Sequence, residues 1–221
     1  MEKTYSEEAV TELARRAYES GEARFEIASE RCALLVIDMQ DEWVRPHWSP
    51  FWIPGATQQV PLIKQLIEHC RSRGIPVIYT VFSKTYRYLD RPVTGPLMPN
   101  RHPEVDVEDL PLFVEGKIWH ELAPQPDDFV IHKPSYGAFF DTPLETILRN
   151  LGRDTVIICG AMTNLCCSTT ARQAYERSLK VVFGSDVNAT NDPVLQEAEL
   201  KTLRYGFARV LTAAEIMAQL R

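Results

Sequence analysis

Apolar residues recur along this chain in two rhythms. Continuous runs stand at CALLVI (32–37), IPVIYTVF (75–82), FVIH (129–132), TVIICG (155–160), KVVFG (180–184) and ARVL (208–211). Runs of this length, rich in β-branched residues, suit strands covered on both faces, and such strands belong to parallel sheets. Between them, apolar residues return every three or four positions in VPLIKQLIEHCRSRG (60–74), TPLETILRNLG (142–152), LCCSTTARQAYERS (165–178), VLQEAELKTLRYG (194–206) and TAAEIMAQL (212–220). Gly74 and Gly152 punctuate two of these helices and Thr212 caps the last. Strand and helix alternate six times, which predicts an α/β fold: a three-layer αβα sandwich around a six-stranded, mostly parallel, Rossmann-like sheet.

Three stretches break the rhythm. Residues 6–28 carry Ala, Val, Leu, Tyr and Phe at helical spacing among Glu and Arg, so residues 1–30 are expected to form an N-terminal helical extension ahead of a single domain over 31–221. The segment DMQDEWVRPHWSPFWIPG (38–55) has little periodicity and predicts a long ordered loop above the end of the first strand. Residues 83–128 hold seven of the fifteen prolines, which rules out one long helix or strand there.

Charge and cysteine content narrow the function classes. The net charge is −6 with acidic and basic residues interleaved, which excludes nucleic acid and anionic membrane surfaces as the main partner and favours a small molecule. No run approaches the ~20 apolar residues of a membrane span, and MEKTYSEEAVTELARR lacks the apolar centre of a secretory signal, so a cytoplasmic protein is expected. Cys32, Cys70, Cys159, Cys166 and Cys167 form an odd, unevenly spaced set that predicts reduced thiols. The cluster has neither paired CxxC spacing nor neighbouring histidines, so no metal and no cofactor is expected.

In open α/β sheets ligands bind beyond the carboxyl ends of the strands. Asp38 follows CALLVI, Lys133 follows FVIH and the turn GAMTNLCC follows TVIIC, so an acid, an amine and a thiol leave three apolar runs toward one face. Each alone is commonplace: a turn-forming Asp, a surface Lys, a core Cys. Together they complement one another, because a buried carboxylate and ammonium need pairing and a thiol needs a base. Cys166 is expected at the start of a helix, where free N–H groups, the helix dipole and Lys133 would favour the thiolate and lower its pKa. Cys167, Cys159, Cys32 and Cys70 read as small core residues.

The segments LLVIDMQ, KPSYGAF and GAMTNLCCSTTARQA resemble the three signatures of the isochorismatase-like cysteine hydrolases. In the third, Gly160, Thr163, Cys166, Thr170 and Arg172 occupy the family's positions, and the likeness covers roughly residues 32–212. The resemblance implies a catalytic set of Asp38, Lys133 and Cys166, with Asp38 as proton carrier and Cys166 as nucleophile. It also implies a cis peptide joining Ala161 and Met162, and an oxyanion hole formed by the N–H groups of Met162 and Cys166.

The stretch TVFSKTYRYLDRPVTG contains no His, whereas nicotinamidases of the family carry a metal site of one Asp and two His there. That difference implies no metal and disfavours nicotinamide. A cysteine at 166, which true isochorismatases lack, favours amide, ureido or carbamoyl substrates. The alternatives are hydrolysis of an ether or ester, and a non-catalytic redox sensor in which Cys166 and Cys167 meet oxidants. The W-x-x-P stretch at 43–46 and the PVIYT strand are similar to the N-carbamoylsarcosine amidohydrolase branch. Trp43, Tyr86, Tyr136 and Phe139 are expected to line an aromatic substrate pocket, and Arg87, Arg91 and Arg101 are candidates for a substrate carboxylate. A homo-oligomer, dimer or tetramer, is expected, with the N-terminal helix against a neighbouring subunit.

Overall fold

A computed structural model describes residues 4–83, 85–86, 89–92, 112–113 and 116–220. The buried apolar runs become strands: β1 (Cys32–Ile37), β2 (Val77–Phe82), β3 (Phe129–Lys133), β4 (Thr155–Ala161), β5 (Lys180–Ala189) and β6 (Arg209–Leu211). All pair in parallel in the order β3-β2-β1-β4-β5-β6. β1 and β4, at the centre, are buried along their whole lengths. The strand order reverses direction between them, and open sheets of this kind place their ligand crevice at that switch point.

The periodic segments become the covering layers. α3 (Pro54–Ser72) and α7 (Ala213–Gln219) lie on one face, burying Ile63, Leu66, Ile67 and Ile216 against Leu34, Val36 and Ile157. α4 (Leu144–Asn150), α5 (Ser168–Glu176) and α6 (Pro193–Gly206) cover the other, with Leu144, Leu148, Ala171, Ala174 and Leu203 against Leu35, Ile37 and Ile158. Alternation along each strand thus feeds two cores.

Three boundaries differ from the sequence expectation. The N-terminal helix α1 spans only Glu7–Ser20 and buries no residue; it lies on α6, where Tyr18 stacks on Tyr205 at 4.3 Å. The segment after it is tied by Arg209, which donates to Glu22 and to the Phe25 carbonyl. The expected loop 38–55 contains a helical turn, α2 (Asp41–Val44), whose residues are all buried because Trp43 and Val44 join the α3-side core. β5 runs past Asp186 to Ala189 through a register shift opposite β4. Much of the proline-rich 83–128 stretch, including 93–111, lies outside the described residues.

Candidate active site

Asp38 is the first residue past β1, and its positive φ of 48° turns it out of the strand direction. Its backbone is held by β2, the N–H donating to the Thr80 carbonyl at 3.1 Å. Thr80 Oγ1 donates to Asp38 Oδ1 at 2.7 Å. Lys133 closes β3, in register with Phe82 of β2. Its ammonium lies 2.7 Å from Asp38 Oδ2, with both side chains fully excluded from solvent, and donates to the Ser135 carbonyl at 2.9 Å.

The thiol comes from β4. Gly160 sits opposite Ile37 with φ 127°, and a Cβ there would stand 2.0 Å from the Ile37 carbonyl oxygen, so only glycine lets β4 pass this close to the strand that carries Asp38. The Ala161–Met162 peptide bond is cis. The chain then winds through a π-helical turn, Thr163–Cys167, before α5 begins at Ser168. That turn brings Cys166 Sγ to 3.4 Å from Lys133 Nζ. Thr170 fastens the turn to the loop after β3: its hydroxyl donates to the Cys166 carbonyl at 2.7 Å and accepts from the Ala138 N–H at 3.0 Å.

Asp38, Lys133 and Cys166 therefore converge in a solvent-poor cluster, Cys166 being 8% exposed and the other two nearly zero. Its electrostatics correct the sequence expectation for the thiol. Cys166 lies in the π-turn rather than at an α-helix N-terminus, and burial pushes its pKa up to about 12; Lys133 pulls it down, while the Asp38 carboxylate pushes it up again. Desolvation works against the Lys133 ammonium, but Asp38 and Cys166 overcome it, and its pKa is raised. The resting site holds a thiol beside a carboxylate–ammonium pair.

The four aromatic residues expected around a pocket are not gathered together. Trp43 is packed among Phe51 and Phe113, at ring centroid distances of 5.6 and 5.2 Å. Phe139 is buried in the opposite core beneath the Arg177 guanidinium. Both are nine-tenths buried or more, so they support walls instead of presenting a face to solvent. Tyr136 is half-buried on the loop after Lys133, and Tyr86 projects into solvent at 79% exposure. Arg87 and Arg101 lie outside the described residues.

Two residues of the site went unnoticed in the sequence. Thr80 was legible as the one aliphatic hydroxyl within IPVIYTVF. Phe82, half-buried, places its ring centroid 5.3 Å from Lys133 Nζ. Among the described residues no group of three His, Cys, Asp or Glu side chains converges to hold a metal ion, all five cysteines are free thiols, and no helix is long and apolar enough to cross a membrane.

Comparison with known proteins sets this geometry in context. The Isochorismatase domain model matches residues 32–215. Nicotinamidase 3 of Arabidopsis thaliana is 34% identical over 195 residues, covering 87% of this chain and 90% of that protein. Ureidoacrylate amidohydrolase RutB of Azorhizobium caulinodans is 28% identical over 206 residues, covering 86% and 90%. Among solved structures, a cysteine hydrolase from Pseudomonas syringae pv. phaseolicola superposes with a TM-score of 0.79 at 30% identity, covering 91% of this chain and 97% of that one. N-carbamoylsarcosine amidase from Thermoplasma acidophilum gives 0.64 at 26% identity, covering 83% and 96%.

Proposed function

Since the chain belongs to the isochorismatase family, we propose that it is a cysteine-dependent amidohydrolase that cleaves a C–N bond of a small amide, ureido or carbamoyl substrate through a thioester. The observation that carries this reading is the contact of three buried groups: Lys133 Nζ 2.7 Å from Asp38 and 3.4 Å from Cys166 Sγ. Relatives named as a nicotinamidase, a ureidoacrylate amidohydrolase and an N-carbamoylsarcosine amidase support the bond class.

A thiol held near 12 does not ionise in advance at neutral pH, so proton transfer accompanies attack. The Cys166 proton passes to the Asp38 carboxylate as Sγ bonds to the substrate carbonyl carbon, and the oxyanion that forms accepts from the Met162 and Cys166 N–H groups. On collapse the C–N bond breaks and Asp38 returns the proton to the departing nitrogen. Asp38 next takes a proton from water, which attacks the thioester and expels Cys166, reprotonated by Asp38. Lys133 stays cationic throughout and offsets the negative charge as it moves between oxygen and sulfur.

The redox alternative is disfavoured by the same burial: Cys166 and Cys167 are both pushed up, Cys167 well above its ordinary value, whereas oxidants select exposed, low-pKa thiols. The five free thiols fit a reducing cytoplasm. A homo-oligomer is supported by the apolar side chains α1 exposes, Val10 and Leu13 at more than half.

Cys166→Ala should lower ammonia release from a panel of primary amides and carbamoyl compounds ~10³-fold or more, equivalent to ~4 kcal/mol of transition-state stabilisation. Intact mass after incubation of wild type with the same panel should show an acyl adduct on Cys166. Turnover by the alanine variant at the wild-type rate would overturn the reading.

A further inference from the structure

We propose that Thr80 is a positioning residue of this site: its hydroxyl ties down one oxygen of Asp38 and so reserves the other for proton transfer with Cys166. The inference deepens the hydrolase reading above and rests on it.

Asp38 needs such a tie because its own chain supplies none. The terminal torsion of an aspartate is broad, so a carboxylate just past a strand end turns freely unless its two oxygens are held separately. Here they are. Oδ1 accepts from the Thr80 hydroxyl at 2.7 Å, while Oδ2 faces the Lys133 ammonium at 2.7 Å and has no other donor among the described residues. The Asp38 and Lys133 side chains are fully excluded from solvent and Thr80 is 1% exposed, so water does not stand in for the hydroxyl.

The direction of that hydroxyl is set as well. Thr80 lies opposite Ile37 in the β1–β2 register, and its branched side chain has few rotamers to choose from. The Asp38 N–H, which donates to the Thr80 carbonyl at 3.1 Å, also reaches Thr80 Oγ1 at 3.3 Å. With Oγ1 accepting on that side, its single proton points at the carboxylate, in a short bond of the charge-assisted kind. Oδ1 is thereby occupied. Oδ2 and Cys166 Sγ both touch the Lys133 ammonium, at 2.7 and 3.4 Å, so the S–H bond that breaks and the O–H bond that forms on Oδ2 lie around one fixed cation. A carboxylate untied at Oδ1 spends part of its time turned away from the sulfur, which slows proton transfer without altering substrate binding.

Alkylation by iodoacetamide at pH 7 reads the first proton transfer before any substrate is known. Sγ displaces iodide as its proton passes to Asp38, and Cys166 is 8% exposed while the other four cysteines are fully buried, so intact mass and peptide mapping follow one site. Thr80→Val keeps the shape and removes the hydroxyl; Thr80→Ser keeps the hydroxyl and removes the methyl. The valine variant should alkylate about ten- to a hundredfold more slowly than wild type, the scale of a misplaced catalytic group. The serine variant should react at close to the wild-type rate. Adding Thr80→Val to Asp38→Asn should slow alkylation no further, since the hydroxyl acts through that carboxylate. In ammonia release from the amide and carbamoyl panel, the loss should fall on kcat and leave KM in place. Valine at the wild-type rate, or serine as slow as valine, overturns the proposal and leaves the hydrolase reading standing; Asp38→Asn at the wild-type rate overturns both. Thermal melts check each fold, and Thr80→Ala, which also lacks the hydroxyl, replaces the valine variant if that does not fold.

Discussion

Replacing Lys133 by Met probes how tightly the reacting groups depend on one another. Methionine keeps an unbranched stem of similar reach and removes the charge. In the native protein the ammonium and the Asp38 carboxylate sit 2.7 Å apart with no solvent exposure on either side chain. Removing one partner leaves Asp38 buried with the Thr80 hydroxyl as a donor but without its counter-charge. Stranding one member of such a pair costs about 3–5 kcal/mol, and Asp38→Asn, which strands the ammonium, should cost a similar amount. The double variant carries no stranded charge, so its loss should fall short of the sum of the single losses by about 3 kcal/mol, the upper range for directly contacting residues. Urea denaturation at pH 7 of the four proteins, with m-values checked for constancy, measures the cycle. Additivity to within ~0.5 kcal/mol would refute the claim that the two charges are held for one another.

Two further outcomes follow from titration and from packing. Cys166 has a folded pKa of about 12 against an ordinary value of 9.0, and Lys133 is raised above 10.5, so on alkaline titration the unfolded chain loses these protons first. Stability should hold below pH 9 and fall as the pH rises toward 12, and melting temperatures that stay level across that window would contradict the assignment. Gly160→Ala should destabilise the protein by about 3 kcal/mol or abolish folding, because its Cβ would meet the Ile37 carbonyl at 2.0 Å; a soluble variant with wild-type chemical denaturation would show that β1 and β4 can separate there.

The layers of the fold were readable because parallel strands buried on both faces cannot hide: CALLVI has no polar residue to disguise it and TVIICG only the threonine at its start. The three clustered side chains, Asp38, Lys133 and Cys166, were readable for a related reason, each following the place where such a run ends. What escaped prediction depends on registers between distant segments. Thr80 reaches Asp38 only because β2 pairs with β1 through Thr80↔Ile37, and Phe82 meets Lys133 only through the β2–β3 register. The state of the thiol was misjudged because a spacing argument counts neighbouring charges but not solvent, and here the loss of water outweighs Lys133. The burial of Trp43 and Phe139 was not legible, because an aromatic residue on a loop has the same sequence signature whether it stands in solvent or packs into a core.

Four adjacent strands each contribute one part of the site: Asp38 after β1, Thr80 on β2, Lys133 on β3, and Cys166 after β4. No hairpin joins any two of them, since parallel neighbours need crossover connections of about a dozen residues or more. Half-built versions of the protein consequently own no functioning hydrolase: a chain that has collapsed but not zipped its central strands carries an ordinary, protonated sulfhydryl with no base beside it. During refolding, helical signal should return before ammonia release does, and the recovered activity marks the moment at which long-range order is complete.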